Sequence, residues 1–305
     1  MDMNETVHYV KASTRYKREH KIDYGKERIE ILYEDRDIAV INKPSGLLSV
    51  PYPGSKARTA VEVLEKIMRK KGTYSDVHRP FVVHRLDRDT SGIMMFALNE
   101  RVQRKIMASW HTMVTDRLYR AVAENPKYKG DELPDFGLID SPIAQNAYHV
   151  GYVPKGTDKA ASVAARTHFK VVFRGQTHTL FELSLDTGKK NQIRAHLSAN
   201  KYPLAGDENY RARSDPFHRL ALHARTLAFV HPVTGEKMSF EIPEPEEWVQ
   251  YVKKGDRNPE TPVWRAERPA RNDSFGENMQ ETSRSYRRKL KKMDFISRGK
   301  SRNLH

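Results

Sequence analysis

The 305-residue sequence has no cysteine. That excludes disulfides, thiolate catalysis and cysteine-ligated zinc together. It has no apolar run long enough to cross a bilayer as a helix. Met1 to Glu30 are charged and lack the apolar core of a signal peptide, so a cytoplasmic protein is the expectation. Neither a Walker-type phosphate loop nor a dinucleotide glycine fingerprint occurs. The histidines, among them His78, His84, His196, His218, His223 and His231, show no metal-ligand spacing. Acid is also scarce: 39 Asp and Glu stand against 54 Lys and Arg, a net charge of +15. A cation of that size points to a polyanion, and with no membrane span a nucleic acid is favoured over a membrane surface.

What remains is a chain with room for one large core. Residues 1–28 read as a polar, basic N-terminal arm. From Ile29 the pattern changes. Ile29 to Tyr33 and Ile38 to Ile41 form an expected strand hairpin, closed by the turn residues Asn42-Lys43-Pro44-Ser45-Gly46. Thr59 and Glu62 have capping-box spacing and open a helix whose apolar stripe is Val61, Leu64, Ile67 and Met68. Val82 to Leu86 and Ile93 to Leu98 read as strands. Asn99 caps a second helix with the stripe Val102, Ile106, Trp110 and Met113, which reads as core. Leu118 to Ala123 is a further strand.

Residues 125–162 are rich in Pro, Gly, Lys and Asp, with a short strand around Ile139 to Ile143; a boundary between two halves fits here. Alternation at Phe169, Val171, Phe173 and at Phe181, Leu183, Leu185, with Gly175-Gln176 between, predicts a hairpin. Asn191 to Asn200 reads as a helix. Leu220 to Val230 and Met238 to Ile242 read as strands. After about Glu260 apolar periodicity fades. Arg284 to Arg302 is densely cationic, a pattern typical of a nucleic-acid-binding tail. The chain thus divides into the arm, a body over residues 29–255 and a basic C-terminal tail over 256–305.

Chemistry concentrates in His84-Arg85-Leu86-Asp87-Arg88-Asp89-Thr90-Ser91-Gly92. Asp87 lies where a strand meets a turn, a common place for catalytic groups. Arg85 and Asp87 share one face of an extended chain. A guanidinium beside a carboxylate favours the ionised form that a nucleophile needs. From charge pattern alone, Asp87 is either a nucleophile or one half of a salt-bridged turn. A second constellation runs from Thr187 to His196. There a strand ends, Gly188 turns the chain and a helix begins with Asn191 as its expected cap. Arg194 falls in the first turn, where the helix dipole disfavours a cation. That placement points to a carboxylate partner, against the alternative of an exposed arginine. Tyr119, in Arg117-Leu118-Tyr119-Arg120-Ala121, reads by itself as a core or edge aromatic.

These segments together resemble the RluA-type pseudouridine synthases. His84 to Gly92 resembles the family's signature. Asp37 to Gly46 resembles its opening segment, Leu118 to Ala121 its tyrosine-bearing strand, and Thr187 to His196 its arginine motif. Pro203 to Asp207, Leu220 to Ala224 and His231-Pro232 resemble its later segments, in the family's order over roughly residues 29 to 250. Two departures stand out. Lys189 and Asn191 occupy positions where the family usually has Arg and His, and 28 residues are too few for the small N-terminal RNA-binding domain of many relatives. The basic tail is expected to supply that non-specific binding.

The resemblance implies an α+β fold, with a mixed, mainly antiparallel sheet in two halves, helices outside and a central RNA-binding cleft. It implies isomerisation of uridine in ribosomal or transfer RNA to pseudouridine, with no cofactor and no metal. By the same resemblance Asp87 attacks C1′ or removes a sugar proton, Tyr119 stacks on the uracil and Arg194 pairs with Asp87. Arg85 helps displace the base, Ile193 floors the site, and Lys43 and Lys189 join them as RNA contacts. A monomer is expected. Two rivals stand beside this reading. One is a nucleoside or glycoside hydrolase using Asp87 and Asp89 as paired carboxylates. The other is an RNA-binding ribosome-assembly factor on the same fold.

Overall fold

The computed structural model describes residues 29–52, 54–156 and 161–254. The expected N-terminal arm and basic C-terminal tail lie outside them. One ten-stranded sheet organises the described chain, with strands β1 (Glu30–Glu34), β2 (Ile38–Lys43), β3 (Phe81–Val82), β4 (Ser91–Ala97) and β5 (Val114–Glu124) from its first part. β6 (Phe136–Asp140), β10 (Arg166–Arg174), β11 (His178–Leu185), β12 (Leu222–Val230) and β13 (Lys237–Glu241) complete it. The order is β1-β2-β4-β12-β5-β11-β10-β6, with β3 beside β4 and β13 beside β12. β12 pairs with β4 in parallel, and the other strand pairs of this sheet are antiparallel. β7 (Ile143–Gln145), β8 (Gly151–Tyr152) and β9 (Ser162–Val163) form a small second sheet. β12, which follows residues 125–162 in the chain, lies between β4 and β5, which precede them, so the large sheet interleaves strands from both sides of that region.

Among the described residues four α-helices pack on this frame: α1 (Ala60–Lys71), α2 (Glu100–Met113), α3 (Gln192–Ala199) and α4 (Glu246–Lys254). Their ends follow the sequence closely. The Thr59 side chain accepts from the Glu62 amide while the Glu62 carboxylate accepts from the Thr59 amide, a complete capping box. Asn99 Oδ1 accepts from the Val102 amide at 2.9 Å. In α1 the buried face is Ala60, Val63, Leu64, Ile67 and Met68, so Val63 replaces the expected Val61. α4 buries Trp248 and Val252 against Val122 and Leu180 of the sheet. β4 is buried at every position, as a strand covered on both faces must be.

One expectation changes at the centre. The run Val82 to Leu86 is strand only at Phe81–Val82. Beyond it the backbone bonds to a side chain rather than to a neighbouring strand: the Leu86 amide donates to Ser49 Oγ, and Ser49 Oγ donates to the Leu86 carbonyl. Gly92 sets the junction between β4 and β12. It has φ +114°, and a Cβ there would stand 2.2 Å from the Ala224 carbonyl oxygen. Only glycine permits both this φ and the close parallel approach of β4 to β12. Gly92→Ala is expected to cost at least about 3 kcal/mol of folding stability. A thermal melt measures this; an unchanged melting temperature would show that the two strands have room to separate.

Candidate active site

Asp87 sits in the turn between β3 and β4, and that turn is tied down residue by residue. Lys43, the last residue of β2, is fully buried and its ammonium donates to three carbonyls: Pro44 at 3.0 Å, Leu47 at 2.7 Å and Arg88 at 3.0 Å. Ser45 Oγ donates to the Asp89 carbonyl at 2.7 Å, and the Gly46 amide donates to the Arg88 carbonyl at 3.0 Å. The segment Lys43 to Ser49 thus clamps the segment Leu86 to Asp89. Burial lowers the Lys43 pKa to about 7, with Asp89 and Asp87 opposing that shift and Arg219 adding to it.

The expected RNA contact at Lys43 is corrected here. All three ammonium protons are spent on the backbone and no part of the side chain reaches the surface. Lys43→Met would strand three carbonyls in the interior, and a loss of about 3 kcal/mol together with activity is expected. Lys43→Arg should not restore either, because a guanidinium is too large for the cradle. Melting temperature and turnover measured on both variants check this.

Around Asp87 the structure gathers Tyr119 from β5 with Ile193 and Arg194 from α3 in one cleft of about 480 Å³. Asp87 Oδ2 accepts from Asn191 Nδ2 at 2.7 Å and from Arg194 Nη1 at 3.4 Å. Among the described residues no donor reaches Oδ1, and the side chain keeps 23% of its exposure. One carboxylate oxygen is therefore held and the other is open. The guanidinium that faces Asp87 belongs to Arg194. Arg85 is exposed at the cleft wall, and Arg88 turns to Asp89, with contacts of 3.0 and 3.1 Å.

Arg194 is itself clamped. Its Nε and Nη2 donate to Asp207 at 2.7 and 2.8 Å, and its guanidinium lies 5.0 Å from the Tyr210 ring centre. Burial opposes the charge, but the hydrogen bonds and charge of Asp207, with Asp87 behind them, raise its pKa above the ordinary arginine value. The carboxylate partner expected for a cation at a helix start is thus present twice over. Tyr119 is buried, and burial raises its phenol pKa, with Arg117 opposing and Asp87 adding, so it stays protonated near neutrality. Ile193 is buried in the cleft wall, and Lys189 is exposed at its mouth.

Asn191 departs from its expected role. It precedes α3 with a left-handed backbone, φ 55°, and caps no helix amide; its side chain reaches Asp87 instead. Gln192 holds the turn, accepting from Thr187 Oγ1 and the Lys189 amide and donating to the Arg166 carbonyl and Thr167 Oγ1. Behind β4, Ser91 Oγ accepts from Arg219 Nη2 and bonds His223 Nδ1, locking the start of the strand against β12. Asp89 is paired with Arg88 and does not line the cleft, which removes the second carboxylate a paired-acid hydrolase needs. Among the described residues no cluster of histidines and carboxylates has metal-binding geometry.

The family model for RNA pseudouridylate synthase matches residues 37–199. The chain is 36% identical over 231 residues to an uncharacterized RNA pseudouridine synthase of Bacillus subtilis, covering 75% of this chain and 74% of the relative. It is 35% identical over 245 residues to the ribosomal large subunit pseudouridine synthase D of Pseudomonas aeruginosa, covering 75% and 73%. In architecture it is similar to human RNA pseudouridylate synthase domain containing 4, at TM-score 0.57 and 23% identity, over 72% of this chain and 90% of that one.

Proposed function

The chain belongs to the RNA pseudouridylate synthase family, and from that premise we propose that Asp87 is the residue that attacks the target uridine, acting through its open Oδ1. The enzyme isomerises uridine in RNA to pseudouridine: the N1–C1′ bond breaks, the uracil turns, and C5 bonds to C1′. Nothing enters or leaves, so the protein's task is to extrude the base, hold it and stabilise charge. The observation that carries the assignment is the split environment of Asp87. Asn191 and Arg194 fix Oδ2, which leaves Oδ1 oriented and facing a cleft wide enough for a base. Tyr119, beside it, offers a ring face to the uracil and a protonated phenol. Arg85, exposed on the same wall, is suited to fill the gap left by the extruded base, and Lys189 at the mouth to meet a phosphate.

The substrate we favour is ribosomal large-subunit RNA, in keeping with the names of several relatives. With ribosomal RNA as the substrate, the cytoplasm is the location we propose. We propose that the enzyme acts as a monomer. The cationic C-terminal segment lies outside the described residues, and its charge suits non-specific RNA contact. Mapping pseudouridine in total RNA from cells with and without the gene tests the reading. One or a few ribosomal sites should lose the modification and regain it with wild-type protein. Loss confined to transfer RNA would overturn the choice of substrate. Unchanged ribosomal and transfer RNA would favour an assembly factor.

A further inference from the structure

The cleft extends past the residues just described, and its far end has a chemistry of its own. Trp110 stands near the end of α2, where periodicity makes it core with Val102, Ile106 and Met113. Those three are buried, but Trp110 is only half-buried and borders the cleft that holds Asp87. The reason is local: α2 ends at Met113 and the chain runs straight into β5, so the last turn of the helix overhangs the sheet. The His84 ring lies against Trp110, with centroids 4.9 Å apart and planes at 35°. The Arg117 guanidinium lies 5.8 Å from the Trp110 ring centre. Arg117 and Tyr119 sit at alternate positions of β5, on one face and about 7 Å apart.

The three side chains are held ready. His84 Nε2 accepts the Met95 amide at 2.9 Å, which fixes the ring and leaves its proton on Nδ1. Burial, and then Arg117, lowers the His84 pKa to about 3, so the ring is neutral. Arg117 Nη2 donates to the Leu185 carbonyl at 2.8 Å. Among the described residues no carboxylate forms an ion pair with Arg117. An unneutralised guanidinium over an aromatic ring, held at the border of an open groove, offers the charge and the stacking surface with which single-stranded nucleic acid is bound.

We propose that Trp110 and Arg117, backed by His84, form a second nucleotide subsite that takes the base and phosphate next to the target uridine. The inference rests on the reading of Asp87 and Tyr119 as the target-uridine site. Trp110 stacks the neighbouring base and Arg117 meets its phosphate. The subsite thereby anchors the strand on one side of the extruded uridine, about one nucleotide from Tyr119.

The test compares two probes on full-length protein carrying Asp87→Asn, so that nothing turns over. One is a ten-residue oligouridylate; the other is a ten-residue abasic ribose-phosphate chain of equal charge. Trp110→Leu should weaken the uridylate about tenfold, the loss of one stacked base, and leave the abasic chain nearly unchanged. Trp110→Phe should recover most of the loss. Arg117→Gln should weaken both probes and lower the log–log salt slope by about 0.7, one phosphate contact.

Equal loss on both probes with Trp110→Leu, or no loss on either, would overturn the stacking role. An unchanged slope with Arg117→Gln would overturn the phosphate role. If Trp110→Leu lowers the melting temperature, Trp110→Met, which fills more of the space, decides by the same two-probe ratio. Failure of the synthase reading itself would appear elsewhere, as unaltered pseudouridine in cellular RNA, whatever these affinities show.

Discussion

Asp87→Asn should abolish pseudouridine formation, by roughly 10⁴-fold or more, while RNA still binds with little change. The substitution is nearly isosteric. The asparagine amide oxygen can take the place of Oδ2 and accept from Asn191 and Arg194, whose donors sit 2.7 and 3.4 Å away. The amide nitrogen then occupies the open position, where it has neither the charge nor the lone pair to attack a sugar carbon or remove its proton. The turn itself does not depend on the carboxylate. It is held by Lys43, Ser45 and Ser49 through backbone atoms. Activity and affinity measured on one bulk ribosomal RNA separate the two effects. Turnover within tenfold of wild type would sink the assignment. Asp89→Asn is the matched control, since Asp89 pairs with Arg88 away from the cleft. Release of free uracil, with Asp89→Asn as damaging as Asp87→Asn, would instead revive the paired-carboxylate hydrolase.

Much of this was legible in the chain because it depends on neighbours in sequence. The hairpin of β1 and β2, the capping box of α1, the Asn99 cap of α2 and the hairpin of β10 and β11 are set by residues within a few positions of one another. Arg194 announced a carboxylate partner because a cation at a helix start needs one. What escaped the sequence are contacts between distant segments. Asn191 looks like a helix cap, yet its partner Asp87 lies 104 positions away and no local pattern encodes that meeting. Lys43 looks like an RNA contact until three carbonyls from two segments close over it.

Trp110 has core spacing, but spacing cannot tell that α2 ends beside an open groove. Val82 to Leu86 has the composition of a strand, and it is a side chain, Ser49, that takes its backbone bonds. Asp207 carried a signal of a kind, standing in a segment that resembles the family without any role read for it. Each of these misses follows from tertiary contact overriding a local preference.

Arg194→Ala should unsettle the fold and stop the chemistry together, because one guanidinium serves two carboxylates. Asp207 takes Nε and Nη2 in a two-pronged bond and is only 1% exposed, while Asp87 receives Nη1 and is 23% exposed. The three groups carry one net negative charge, and removing the cation leaves two carboxylates facing one another. Stripping one partner from a buried pair typically costs about 3–5 kcal/mol, most of it from the charge left behind. The Asp207 carboxylate bears that cost, and Asp87 loses one of the two donors that orient it.

Arg194→Lys distinguishes charge from geometry. A lysine is a point charge that cannot hold the two-pronged bond and reach Asp87 as well. It should restore most of the melting temperature and little of the turnover. Asp207→Asn probes the clamp from the other side. Its amide opposes one guanidinium N–H, so Arg194 loses its fixed pose and turnover falls, while RNA affinity is little altered because Asp207 is buried away from RNA. The opposing view makes Arg194 a phosphate contact. Its loss would then weaken RNA binding and lower the log–log salt slope by about 0.7, with melting temperature and saturated rate intact. The contacts argue against that outcome: three of the guanidinium's N–H groups already point at carboxylates, and its side chain is 8% exposed. A thermal melt, a saturated single-turnover rate and a salt titration on these three variants separate the two accounts.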